Sequence, residues 1–274
     1  MNQRFDVIVV GDSKDGNAVI KQLASANKTL MIAFVSKTFK NRTTRDFLNV
    51  EYIKDEVIFA DYKNRLFGCY LKSGNRLFCT HLIIACGLKY APLTVNHRRV
   101  PCVYHNTDDI TKIAKQQPAV VFGSGEADAR MALAAAKKYK QVYLCSSLFS
   151  LCCTPSTLKK VEQAKNLVVL PNANLLRVTT DAAGKLKAIE LDNYSTLTCN
   201  AIYIKTESAP DTAWLSTKLI KKNDDSYLET TKELESTVVP KCYAVGSCAV
   251  KSTKKMQQAM ILNILADFKE DVIC

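Results

Sequence analysis

Two stretches of the chain repeat one order: a short, wholly apolar run, a glycine turn, and a helix-forming segment. The first is Val7-Ile8-Val9-Val10, then Gly11, then a helical pattern from Asn17 to Ala26 with Val19, Ile20, Leu23 and Ala24 on one side. The second is Ala119-Val120-Val121-Phe122, then Gly123-Ser124-Gly125, then an alanine-rich helix from Ala127 to Lys138. Apolar runs without polar alternation are strands buried on both faces, the condition of a parallel sheet covered by helices. Each helix leads into another apolar strand, Leu30 to Val35 in the first case and Gln141 to Leu144 in the second. A right-handed crossover sets the two strands of each unit side by side. The expected class is α/β, built on two βαβ domains.

Between the two units the pattern changes. Short strands near Val57–Ala60, Leu66–Leu71 and Arg76–Cys79, with Ser73-Gly74-Asn75 as a hairpin signal, read as an antiparallel meander. Leu82-Ile83-Ile84-Ala85 is a further buried strand, ending at Cys86-Gly87. The second unit continues through a short helix at Lys159–Lys165, a strand at Leu167–Leu170, a hairpin of Leu175–Thr179 with Ala188–Leu191, and a strand at Ala201–Ile204. What remains is a strand at Cys242–Val245, Gly246, and an amphipathic helix in which Met256, Met260, Ile264 and Phe268 recur every four residues. That last strand and helix have no unit of their own, so they are expected to return to the first sheet. Residues 1–99 with 211–274 then form one discontinuous domain, and 100–210 an inserted one.

The glycine turns carry the chemistry. In Gly123-Ser124-Gly125-Glu126-Ala127-Asp128 the first glycine permits the tight turn and the second leaves room for a pyrophosphate beside the backbone and the helix N-terminus. Asp128 holds the third site, where a small residue lets helix and strand approach. In Gly11-Asp12-Ser13-Lys14-Asp15-Gly16 the first and third glycines stand, but Ser13 replaces the second. No acid for a ribose follows the strand ending at Val35; Ser36 and Lys37 stand there instead. Cys145-Ser146-Ser147 likewise offers neither a ribose acid nor an arginine pair. At each loop two readings stand, a nucleotide site or a structural turn kept by the fold.

In its order of elements the chain resembles the low-molecular-weight thioredoxin reductase branch of the two-dinucleotide-binding-domain flavoproteins. The resemblance implies two Rossmann-like domains, with FAD on the first and NAD(P)H on the second. Ala85-Cys86-Gly87 is similar to that family's Ala-Thr-Gly, and Gly246-Ser247 to its late Gly-Asp, which contacts the flavin nucleotide. Cofactor contacts are therefore expected from Gly11, Ser13, Gly16, Gly87, Gly123, Gly125, Gly246 and Ser247. The family's Cys-x-x-Cys aligns with Cys102-Val103-Tyr104-His105. With His105 in the second place, Cys102 either acts as a single thiol beside a histidine or is incidental; it cannot close the internal disulfide. The segment between Phe34 and Val50 is short and lacks the glycine-rich stretch that wraps the flavin. The resemblance implies an oxidoreductase with a small-molecule or protein redox partner, and allows a homodimer. The rival reading is a non-catalytic nucleotide-binding or interaction scaffold of the same fold.

Composition adds exclusions. The 274 residues carry 38 Lys+Arg against 26 Asp+Glu, a net charge of +12 spread along the chain without a basic tail. Such a balance fits either a lysine-rich soluble protein or an acidic partner, and basic patches with stacking aromatics, as in RNA-binding modules, are absent. Eleven cysteines, an odd number at irregular spacing with no signal peptide before them, point to a reducing cytoplasm. No spacing reads as a zinc site. No run is apolar enough to span a bilayer, so a membrane is not expected. Lys251, Lys254 and Lys255 open the last helix, a place for an anion or a solvated turn.

Overall fold

Val7 to Val10 become the centre of a sheet because both faces of the run are covered. In the computed structural model, which describes residues 2–39, 47–105, 117–193 and 195–270, β1 (Asn2–Val10) is followed by α1 (Lys14–Ala26) and β2 (Ile32–Ser36). Then come β3 (Val50–Lys54), β4 (Val57–Lys63), β5 (Leu66–Leu71) and β6 (Arg76–Ile84). The sheet order is β3-β2-β1-β6-β5-β4. β1 runs parallel to β2, with Val7 opposite Ile32, and parallel to β6, with Val10 opposite Ile84.

The strand at Cys242–Ala244 joins this same sheet, parallel to β6 with Cys242 opposite Leu82, as the topology predicted. β6 itself corrects the sequence reading. The expected strands at Arg76–Cys79 and Leu82–Ala85 are one continuous strand, carried through Thr80 and His81. Its first half pairs antiparallel with β5, and its second half takes the returning strand. His81 is polar but 1% exposed, and that burial keeps the strand unbroken.

Alternation along β1 divides the core. Ile8 and Val10 face a cluster with Phe67, Leu71, Leu82, Leu215 and Ile220, which Phe5 joins from the start of the strand. Val7 and Val9 face Val19, Ile20 and Leu23 of α1 and Met260, Ile261 and Ile264 of α4 (Lys254–Glu270). Each such side chain taken fully from water stabilises the fold by about 1.5–3 kcal/mol.

The second unit grows from Ala119–Phe122 in the same manner. Its parallel sheet runs Val103–Tyr104, Ala201–Ile204, Ala119–Phe122, Val142–Cys145, Leu167–Leu170. Helices α2 (Glu126–Ala136) and α3 (Pro155–Gln163) cover one face, where the Tyr139 and Tyr203 hydroxyls meet at 2.9 Å. A three-stranded antiparallel sheet, Leu175–Thr180, Leu186–Leu191 and Thr196–Thr198, supplies the apolar side chains of the other.

The chain divides into two compact units, Met1–Lys89 with Ser208–Cys274, and Tyr90–Glu207. The first boundary falls at 89/90 and not at 99/100, because the small hairpin of Thr94–Val95 with Arg98–Arg99 belongs to the second unit.

Candidate functional site

Open α/β sheets bind ligands beyond the carboxyl ends of their strands, where neighbouring connections leave in opposite directions. In the first unit that point lies between β1 and β6, and the structure gathers six of the expected residues there. Gly11 has φ +107°, and a Cβ on it would lie 2.5 Å from the Ala85 carbonyl oxygen and from Cys86 Cα. Glycine is obligatory. A Cβ on Gly16 would come within 2.8 Å of Ala85 Cβ, so this glycine lets α1 lie close on the sheet. Gly87, at φ +70°, faces open space bounded by Ser247 Oγ and Ser13 Cβ at 3.8 and 3.9 Å from where its own Cβ would stand.

Ser13 has a definite task. It is the N-cap of α1, its Oγ accepting from the Gly16 N–H at 3.0 Å. The two acids of the loop are both drawn to protein partners. Asp12 Oδ1 accepts from Asn17 Nδ2 at 2.7 Å, and Asp15 Oδ1 from Gln257 Nε2 at 2.7 Å. Asp15 thereby ties α1 to α4, passing so near Gly246 (φ +76°) that a Cβ there would meet its Oδ2 at 2.6 Å.

Beside this turn lies a cavity of about 520 Å³, lined by Gly11, Asp12, Ser36, Lys37, Cys86 and Trp214 among others. Lys37 Nζ stands 2.8 Å from Glu56 and 3.7 Å from Asp211. Hydrogen bonding to Glu56 raises the Lys37 pKa, against the effect of burial and with help from Asp211. The same ammonium holds the Glu56 carboxyl below its usual range. Burial pushes the Cys86 thiol far up and keeps it protonated. The cavity has the size of a cofactor site, its floor is a glycine turn, and Ser36 and Thr38 stand in its wall. Its size and glycine floor are compatible with a dinucleotide, while its wall sets Asp12, Asp55, Glu56 and Asp211 against Lys37 and Lys89. Residues 40–46, which hold much of the short flavin-side segment, lie outside the described residues.

The second glycine loop is built differently. A Cβ on Gly123 (φ +146°) would fall on the Asp128 side chain, with Cγ and Oδ2 at 2.2 and 2.3 Å. Asp128 Oδ2 accepts from the Gly125 N–H at 3.1 Å. The donor expected to face a pyrophosphate therefore serves the chain's own carboxylate. Ser124 Oγ lies 2.9 Å from Ser146 Oγ and 3.3 Å from Ser147 Oγ, and the Cys152 N–H donates to the Ser124 carbonyl at 2.7 Å. Glu126, also in the first turn of α2, accepts from the Thr154 N–H, the Thr157 hydroxyl and Arg130 Nε. These bonds, the backbone one from Thr154 first, lower its pKa to about 2. A dinucleotide's pyrophosphate does not fit this loop as it is folded.

Cys102 and His105 line one cavity of about 460 Å³ with Tyr90, Leu93 and Arg99. The His105 ring stacks on Tyr90 at 4.3 Å, and its Nδ1–H donates to the Ile204 carbonyl at 2.8 Å. Among the described residues no hydrogen bond joins His105 to the Cys102 thiol. Cys102 has φ +57° and packs among Val100, Cys145 and Cys199. Every described cysteine is free. Burial raises the Cys145 and Cys199 thiols to about 12. Among the described residues no group of three or more His, Cys, Asp and Glu side chains is placed to hold a metal, and no helix is long and apolar enough to cross a membrane.

Sequence reading singled out the glycines and both serines, of which Gly11 lines the cavity, and it did not link Lys37 to Glu56 and Asp211, which lie far apart in the chain. It marked Asp128 as out of place without foreseeing where the carboxylate goes.

Residues 2–261 match the family described as pyridine nucleotide-disulphide oxidoreductase. No curated protein matches the sequence. Among solved structures the chain is similar to the thioredoxin reductase of T. acidophilum, at 15% identity and a TM-score of 0.71, covering 96% of this chain and 98% of that one. It is also similar to Lactococcus lactis thioredoxin reductase, at 13% identity and a TM-score of 0.69 over 96% and 99% of the two chains. A thioredoxin reductase from Bacillus anthracis, described as putative, matches at 12% identity and a TM-score of 0.61, over 98% of this chain and 100% of that one.

Proposed function

Because the chain belongs to the pyridine nucleotide-disulphide oxidoreductase family, we propose that it is a flavin-dependent oxidoreductase whose first unit holds FAD. The observation that supports this is the cavity of about 520 Å³ opening beside the Gly11 turn, at the switch point of the first sheet. A bound flavin supplies hydride and single-electron chemistry at its ring. Gly11 brings the backbone of the turn to the cofactor, and Gly87 leaves the space next to Ser13 and Ser247 free of side chain. Ser13 orients the start of α1, and Lys37 holds Glu56 and Asp211 so that the cavity wall carries less net negative charge.

The redox partner is a small molecule or a protein, and Cys102 is the thiol proposed to meet it. Burial keeps Cys69, Cys145, Cys199 and Cys248 protonated with pKa values near 11 to 12, so they are poor nucleophiles. Cys102 lines a cavity together with His105, whose Nδ1–H is committed to Ile204. In the neutral ring, Nε2 is then the nitrogen left to take a proton. As a single thiolate Cys102 can attack a partner's disulfide, forming a mixed disulfide while the partner's other sulfur leaves as thiolate, but it cannot form an internal one.

Purified protein tests the flavin directly. Yellow protein, or flavin fluorescence quenched to saturation on adding FAD, is the expected result. Colourless protein that stays apo in excess FAD removes the flavoenzyme reading and leaves the scaffold reading, which the closed second loop favours. Unchanged turnover after alkylation of Cys102 removes the thiol role.

A further inference from the structure

The second unit has the strand, the glycine turn and the helix of a dinucleotide site, yet its own side chains fill the place of the ligand. We infer that Asp128 closes this site: its carboxylate is an internal anion standing where a dinucleotide would set its pyrophosphate, so this unit does not take NADH or NADPH. The inference is independent of flavin in the first unit.

Three sets of contacts carry it. Asp128 occupies the space beside Gly123, which is the approach that the absence of a side chain would otherwise leave open. Its Oδ2 takes the Gly125 N–H, one of the amides such loops offer to phosphate. That same bond is one half of a capping box, the third residue of α2 reaching back to the backbone N–H of its N-cap, and Gly125 has no side chain to supply the other half. The helix thus gains by folding this carboxylate onto itself. A helix start attracts one negative group readily, but here Asp128 and Glu126 already lie within the first turn. An arriving pyrophosphate meets a helix start whose first turn already carries two carboxylates.

The second set of contacts shuts the path to the ribose. Dinucleotides cross from the glycine turn to the end of the neighbouring strand. That gap is bridged by the Ser124 hydroxyl touching Ser146 and Ser147, at the end of the Val142–Cys145 strand. The third set fixes the cover. Cys152 N–H bonds to the Ser124 carbonyl, and Glu126 binds Thr154 and Thr157, so the segment from Ser147 to Thr157 is laced to the loop. No arginine follows the strand, and Arg130 of α2 pairs with Glu126 but leaves Asp128 to the Gly125 N–H; Ser146 accepts from the Leu148 N–H.

The test is a titration of the full chain with NADPH and NADH by calorimetry, with hydrogen exchange of residues 123–128 locating any bound ligand. Wild type is expected to give no protection of the loop at millimolar nucleotide. Asp128→Ala, which frees the Gly125 N–H and removes a charge, is expected to bind at least about tenfold tighter, with protection at the loop. Asp128→Asn keeps the shape and an acceptor oxygen, and is expected to fall between the two. Circular dichroism confirms that each variant is folded. Loop protection by NADPH or NADH in wild type overturns the inference, and so does an Asp128→Ala variant that binds no better than wild type.

Discussion

Cutting Asp267 back to alanine tests how the C-terminal helix is held on the first sheet. His81, in the middle of β6, is 1% exposed, and its Nε2 meets Asp267 Oδ2 of α4 at 3.0 Å. Its ring stacks with Tyr243 of the returning strand and packs against Phe268 at 4.9 Å. Asp267→Ala leaves a buried N–H without its acceptor, which costs about 1–3 kcal/mol. Asp267 is 38% exposed, so water replaces part of the loss, and the expected cost is about 1–1.5 kcal/mol. At about 2–4 °C per kcal/mol for a unit of this size, melting falls by about 2–6 °C.

The pH dependence sharpens the test. Burial lowers the His81 pKa below 6.5, while Asp267 pulls it back up and Lys241 pushes it down. A depressed histidine leaves stability complete above pH ~6.5 and removes it as pH falls through the folded value, because the unfolded chain takes the proton first. Without Asp267 the folded pKa drops further. The melting gap between wild type and variant therefore widens from pH ~7.5 to pH ~5.5, as followed by circular dichroism. Equal melting temperatures, or a gap that narrows on acidification, would refute this account of the helix anchor.

Gly11→Ala combines a strained φ with a Cβ 2.5 Å from backbone, and should destabilise by at least about 2 kcal/mol in urea titration of the full chain. Acid should loosen the segment over the second loop. Glu126 has its pKa depressed to about 2, so its hold on Thr154 and Thr157 is complete above the unfolded value of 4.5 and lost as pH falls toward the folded one, read as faster amide exchange at 152–157. Thiol labelling of native protein, mapped by mass spectrometry, should mark Cys102, Cys152 and Cys153 first, and Cys69, Cys79 and Cys242 only on unfolding. Prompt labelling of the buried three would contradict the packing of β5, β6 and the returning strand.

What the sequence discloses follows from where the physics is local. Gly11 with its apolar run and helix is legible because strand, turn and helix each leave a pattern within a few residues. The returning strand at Cys242–Ala244 is legible only through topology, since three residues carry little pattern. β6 was divided because Thr80-His81 reads as polar, and nothing local tells that Asp267 and Tyr243 bury it. β3 escaped notice: it lies at the sheet edge with Val50 buried and Glu51 and Lys54 exposed, so it lacks the continuous apolar run of its neighbours. At the second loop the glycine spacing left a nucleotide site and a structural turn both open, and the rotamer of Asp128, which favours the turn, leaves no mark in the sequence. A side chain's direction is a tertiary fact. Lys37 was visible after β2 as a departure from an acid, but its partners Glu56 and Asp211 are brought to it by the fold.

One glycine turn borders a cavity, and the other is filled by the chain's own carboxylate. Equilibrium dialysis of the full chain against FAD and, separately, against NADPH reads both at once. Retention of a single FAD per chain with NADPH left at its outside concentration is the predicted result; NADPH retained by a chain that holds no FAD would contradict it.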